Sequence, residues 1–137
     1  MPIERRTIIP RGLEAVHETY HYAPGILVGD MLYVSGQVGR DADLNVVEGA
    51  EAQFARAFEN VRLVLDAAGA TFADVIELET WFADSMADLG TFMTVKERYF
   101  PAPPYPTWTG FAVRGFSMPG LLVEIKVTAL LGSGARA

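Results

Sequence analysis

Carboxylates, histidines, hydroxyls and one arginine near a strand end are the side chains of this chain that could carry chemistry. Glu124 shares a strand face with Leu122, Lys126 and Thr128, since side chains alternate along a strand. A carboxylate there can act as an acid or base, or pair with Lys126 or with a cross-strand neighbour. Tyr22 reads as a turn aromatic that anchors a loop against a sheet. Ser35 reads as a small residue required by close strand packing beside Gly36. Trp108 could floor a pocket for a flat or apolar ligand, or pack into a core or an interface. Arg114 falls on the face of Trp108, Gly110 and Ala112 by strict alternation, where it would supply a cation. It also precedes Gly115, where the strand should end, which suits an ordinary surface arginine. His17 and His21 are four apart, a spacing that suits metal ligands only on a helix, and no carboxylate completes a set. No metal is expected. The glycines at 115, 120, 132 and 134 lack the strand–loop–helix setting of a phosphate cradle, so no nucleotide and no other cofactor is expected.

Composition narrows the field. The 137 residues suffice for one domain with a single core, spanning 1–137. No apolar run approaches the ~20 residues of a membrane span, and the start lacks the apolar stretch of a secretory signal. A cytoplasmic protein with no membrane partner is the default expectation. There is no cysteine, which excludes disulfides, thiolate metal sites and cysteine nucleophiles. The net charge of −6, with 11 basic residues outnumbered by 17 acidic ones, argues against nucleic acid as a partner.

The elements that must position these residues follow from periodicity. Residues 3–9 are β-compatible and run into the turn signal Pro10-Arg11-Gly12, followed by a polar stretch carrying His17 and His21. Residues 26–28 and 31–36 form two strands joined at Gly29-Asp30, a tight hairpin. From Glu51 to Ala68 the apolar positions Phe54, Phe58, Val61, Leu65 and Ala68 recur at helical spacing, and Gly69 sits where a left-handed cap belongs. Residues 74–83 alternate, with Ile76, Leu78, Thr80 and Phe82 on the core face. Ser85-Met86-Ala87-Asp88 has capping-box spacing and opens a second helix through Leu89, Phe92 and Tyr99. The prolines at 101, 103, 104 and 106 end it. Strands over 107–113 and 121–131, with Pro119-Gly120 between them, close the chain. The order predicts an α+β fold in which two helices pack on one face of a mixed sheet. The last strand is apolar on both faces, so the uncovered face should pack on another subunit.

Several segments then match one family in order. Tyr22-Ala23-Pro24-Gly25 resembles its approach loop. Val28-Gly29-Asp30-Met31-Leu32-Tyr33-Val34-Ser35-Gly36-Gln37 is similar to its "VGDLLFVSGQ" signature. The 51–69 helix, Phe72-Ala73-Asp74-Val75 and Leu121-Leu122-Val123-Glu124-Ile125 resemble its central helix, the strand that follows and its closing strand. Spread over residues 20–131, these identify the chain as resembling the RidA (YjgF, L-PSP-like) family of reactive-intermediate deaminases. The resemblance implies a chorismate-mutase-like α+β protomer, a homotrimer and small-molecule clefts at the subunit interfaces.

Members of the family that act as deaminases hydrolyse 2-imino or enamine acids to 2-keto acids and ammonia. By resemblance, Glu124 matches the glutamate that activates water, while Tyr22 and Ser35 match ligand contacts. The family's carboxylate-binding arginine stands in a Pro-Ala-Arg-Ser/Thr motif. Here Pro106-Thr107-Trp108-Thr109 occupies it, so Trp108, with one N–H and no charge, replaces the guanidinium. Thr109 and Arg114 complete the candidate binding set. Three functions compete: a deaminase or related hydrolase of an imine or enamine with altered specificity, a non-catalytic ligand-binding or interaction trimer, and an endoribonuclease. The acidic charge places the third below the others.

Overall fold

The computed structural model describes residues 2–83 and 86–134. Six strands form one sheet in the order β1-β2-β3-β6-β4-β5. They are β1 (Arg6–Ile8), β2 (Gly25–Val28), β3 (Met31–Val38), β4 (Val75–Ala83), β5 (Thr107–Val113) and β6 (Val123–Leu130). β4 and β5 are parallel and the other neighbours antiparallel. The sheet is therefore mixed, and its one parallel pair needs a crossover connection. That crossover contains helix α3 (Leu89–Tyr99), which packs beside α2 (Ala50–Ala68). The expected α+β architecture is what forms.

The long helix behaves as its periodicity requires. Phe54, Phe58, Val61, Leu65 and Ala68 are all buried, and Gly69 ends the helix at φ 81° with its N–H on the carbonyls of Leu65 and Asp66. Phe58 lies at the centre of an aromatic cluster. Its ring stacks on Tyr99 at 4.6 Å and on Phe92 at 5.6 Å, both in α3. The Tyr99 hydroxyl donates to Glu59 Oε2 at 2.8 Å, which fastens the two helices at their outer edge. Across the sheet, Leu32, Val34, Leu78, Phe82, Val123, Ile125 and Val127 complete this core.

The hairpin forms as expected. Val28 pairs with Met31, and Gly29 alone of the two turn residues has a positive φ, 58°, which glycine adopts at little cost.

Several expectations need correction. The polar stretch after Pro10-Arg11-Gly12 is a third helix, α1 (Glu14–Tyr20). It has seven residues and buries Val16 within it, too little periodicity to register in the sequence. Ile76 is 40% exposed rather than in the core. A register shift between Val75 and Glu77 turns Val75 inward instead, as a bulge does. The first strand and the last are shorter than expected, at 6–8 and 123–130. The capping box rests on Ser85, which lies outside the described residues. Asp88 is the N-cap of α3, without a side-chain capping bond.

Helices α2 and α3 leave one face of the sheet uncovered. Tyr33 and Phe111 are 48% and 55% exposed on it, and Lys126 and the candidate Glu124 belong to the same face by alternation with the buried Val123, Ile125 and Val127. Among the described residues no helix is long and apolar enough to cross a membrane.

Candidate functional site

A bulge prepares the place for Glu124. Along the β3–β6 ladder Val34 pairs with Val127 and then Gln37 with Ile125, so three steps on β3 match two on β6. Ser35 and Gly36 fall in that irregular stretch. The carboxylate of Glu124 lies over Gly36, where a Cβ would collide with it. Gly36 is thus needed for close approach, and the bulge re-aims the local backbone, as bulges beside active sites commonly do.

Glu124 opens into a cavity of about 430 Å³ that Tyr20, Tyr22, Ser35 and Arg40 also line. Met118 and Ser117, from the connection between β5 and β6, form another wall. The loop carrying Tyr22 leaves α1 through His21, which takes the left-handed conformation at φ 59°. Ser35 ties this loop to the sheet. Its hydroxyl donates to the Ala23 carbonyl at 2.6 Å, and its N–H donates to the Pro24 carbonyl at 2.9 Å. The hydroxyl proton is therefore engaged in bracing the loop beside Tyr22.

Electrostatics in the cavity work in opposition. Burial pushes the Glu124 carboxyl above its ordinary value of 4.5, and the Arg40 guanidinium pulls it back part of the way. Burial likewise raises the Tyr22 phenol, against the lowering effect of Arg40, so Tyr22 stays protonated at neutral pH and can donate. The ion pairs among the described residues are Arg62–Glu59 and Arg98–Glu51. The Glu124–Lys126 pairing open to the sequence is not formed.

Arg40 is the residue that the sequence reading missed. It lies just beyond β3, is 9% exposed, and places its guanidinium 5.5 Å from the Tyr20 ring centroid. Asn60 of α2 fixes its backbone, donating from Nδ2 to the carbonyls of Val38 and Arg40 at 3.0 and 2.9 Å. Arg56 Nε donates to Asn60 Oδ1 at 3.1 Å, which orients that amide. The adjacent carboxylate, Asp41, could pair with Arg40. In the structure Asp41 Oδ1 instead accepts the N–H groups of Asp43 and Asn45, each at 2.9 Å, and leaves Arg40 to the cavity.

The structure thus brings together Glu124, Tyr22 and Ser35, and places the other three candidates elsewhere in the protomer. Trp108 packs on the helix side. Its indole N–H donates to Thr80 Oγ1 at 2.9 Å, its ring lies 6.1 Å from Phe92, and Lys96 Nζ sits 4.8 Å from the ring centroid. Thr109 is exposed on β5 opposite Glu79. Arg114 is exposed at the bend after β5, so Arg40, not Arg114, is the cavity's cation. His17 and His21 are both exposed, the second beyond the helix end. No group of three or more metal-ligating side chains occurs among the described residues.

The fold and site together define an α+β protein with a mixed sheet, one face left open by α2 and α3, and a polar cavity at a β-bulge. The family model described as "Endoribonuclease L-PSP" matches residues 13–131. The RutC family protein YjgH of Escherichia coli is 38% identical over 127 residues, covering 93% of this chain and 95% of that protein. A solved structure of protein YjgH superposes with a TM-score of 0.86, covering 93% and 97% of the two chains at 38% identity. The bovine 2-iminobutanoate/2-iminopropanoate deaminase is 33% identical over 113 residues, with 81% and 80% covered. The chain belongs to the L-PSP (RidA/YjgF) family, and its fold is the one that the family's solved structures share.

Proposed function

We propose that this protein hydrolyses a small reactive imine or enamine, with Glu124 activating the attacking water. The observation that carries the reading is a half-buried carboxylate, free of ion pairs with any described residue, held over a glycine in a cavity large enough for a small substrate and a water. Relatives named as 2-iminobutanoate/2-iminopropanoate deaminases support it.

The chemistry balances with this one acid–base group. An enamine takes a proton from solvent at its terminal carbon and so becomes the protonated imine; water then adds through oxygen to the imine carbon while Glu124 takes a proton from that water. The C=N π pair becomes the lone pair of the amine, giving a neutral carbinolamine. Glu124 returns its proton to the nitrogen, the C–N bond breaks, the hydroxyl oxygen forms the carbonyl, and its proton leaves with ammonia as ammonium. Raised basicity favours the first transfer, and a carboxyl closer to neutral favours the second. Tyr22 donates to the substrate, and Ser35 orients it by bracing the Tyr22 loop. Trp108, Thr109 and Arg114 meet a ligand only if an adjacent subunit carries them to the cavity. We assign the uncovered sheet face to homotrimer contacts. The cavity offers one guanidinium, a poor match for the several phosphates of an RNA backbone.

Loss of enzymatically generated 2-aminoacrylate and release of ammonia, compared for wild type and Glu124→Ala, test the reading. Turnover by wild type that falls to background in the variant is expected. Wild-type turnover no faster than the uncatalysed rate would set the deaminase chemistry aside.

A further inference from the structure

We infer that Arg40 is the specificity-determining residue of the cavity, and that it binds an anionic group, a carboxylate in the first instance, of the molecule that Glu124 acts on. The inference rests on the reading of the Glu124 cavity as a small-molecule site and names what that site selects.

Arg40 as a whole residue is 9% exposed, yet no carboxylate of a described residue lies within ion-pair distance of its guanidinium. Charged side chains so deeply buried are almost always paired. The side-chain partners of Arg40 carry no charge: Nη1 donates to Met118 Sδ at 3.2 Å, a thioether that accepts weakly, and the guanidinium also hydrogen-bonds the Tyr22 phenol, itself a cavity residue. The Arg40 Cζ lies 5.5 Å from the centroid of the Tyr20 ring, a cation–π distance that helps to hold the group in place. Tyr20 and Met118 both line the same cavity as Glu124, so the charge faces that space. Glu124 and Tyr22 both respond to it electrostatically.

The placement is built in. The Arg40 N–H donates to the Val38 carbonyl at 2.9 Å, Arg40 forms a bridge with Val46, and the two Asn60 bonds lock the carbonyls on either side of Gly39. A bidentate guanidinium–carboxylate contact is short, charge-assisted and directional. With the anionic end fixed at Arg40, the reacting carbon is held in the same cavity as Glu124, which is the positional advantage that such clamps give.

Equilibrium titration with pyruvate and with its neutral analogue pyruvamide, followed by amide NMR, separates this inference from the catalytic reading. Wild type is expected to prefer pyruvate at least tenfold. Arg40→Gln should lose that preference, and Arg40→Lys should keep part of it. As a check that needs no variant, pyruvate should raise the wild-type Tm more than pyruvamide does. Equal affinity of wild type for the two probes, or a preference unchanged in Arg40→Gln, overturns the role of Arg40 even if 2-aminoacrylate is turned over. A preference for pyruvate that disappears in Arg40→Gln establishes it even if no imine is hydrolysed, and only the deaminase reading then falls.

Discussion

Burial and a nearby guanidinium pull the Glu124 carboxyl in opposite directions, and burial wins. The catalytic limb on the acid side of a kcat/KM–pH profile should therefore sit above 4.5, because Glu124 must lose its proton to act as a base. An acid limb at or below 4.5 would contradict this. Stability follows the same shift with a definite sign. A carboxyl whose folded-state pKa is raised binds protons more tightly in the folded state, so the folded state is favoured below 4.5 and loses that advantage as pH rises through the raised value. Glu124→Gln should accordingly gain on wild type in Tm as pH rises across that interval and show no gain below it, which thermal melts in a pH series would measure. Gly36→Ala is a complementary probe. Its methyl displaces the carboxylate, and a misplacement near 1 Å costs activity by about 10²-fold. Steady-state rates should show this loss while circular dichroism shows a folded protein.

Among the elements, α2 carries both core and site. Phe58→Ala removes the ring at the centre of the aromatic cluster and should cost about 3–5 kcal/mol in chemical denaturation. Two residues further along α2, Asn60 reaches the end of β3 and the chain beyond it, so Asn60→Leu should raise KM through Arg40 more than it lowers kcat. An unchanged KM would show that the loop holds its shape without the amide. The helix itself was legible in the sequence because long periodic burial leaves a strong imprint. The seven residues of α1 were not legible, since only Val16 is buried within it. The bulge that turns Ile76 outward leaves no trace in an alternating pattern, because a one-residue shift is decided by pairing with β6. Arg40 escaped for a related reason. Its burial depends on Asn60 twenty residues away and on Asp41 turning back into its own loop, neither of which is a local signal. Glu124, Tyr22 and Ser35 were picked out by motif. The motif could not tell that Trp108 is held on the helix side by Thr80.

At the scale of the whole molecule, the sheet face that α2 and α3 leave uncovered is decisive. It presents Tyr33 and Phe111 together with the strand that bears Glu124, and the proposed trimer would cover it. Phe111→Arg places a charge on that face and should shift the protein toward monomer in sedimentation experiments, with activity falling if the cavity is completed between subunits. A variant that stays fully assembled and active would remove this face from the interface.

The most direct measurement is kcat for ammonia release from 2-aminoacrylate by wild type and by Glu124→Gln, an exchange that keeps the shape of the side chain and removes its basicity. Clear wild-type turnover is expected, with a fall in kcat of about 10²–10⁴-fold in the variant and assembly unchanged. A variant as fast as wild type would contradict the central role given to Glu124.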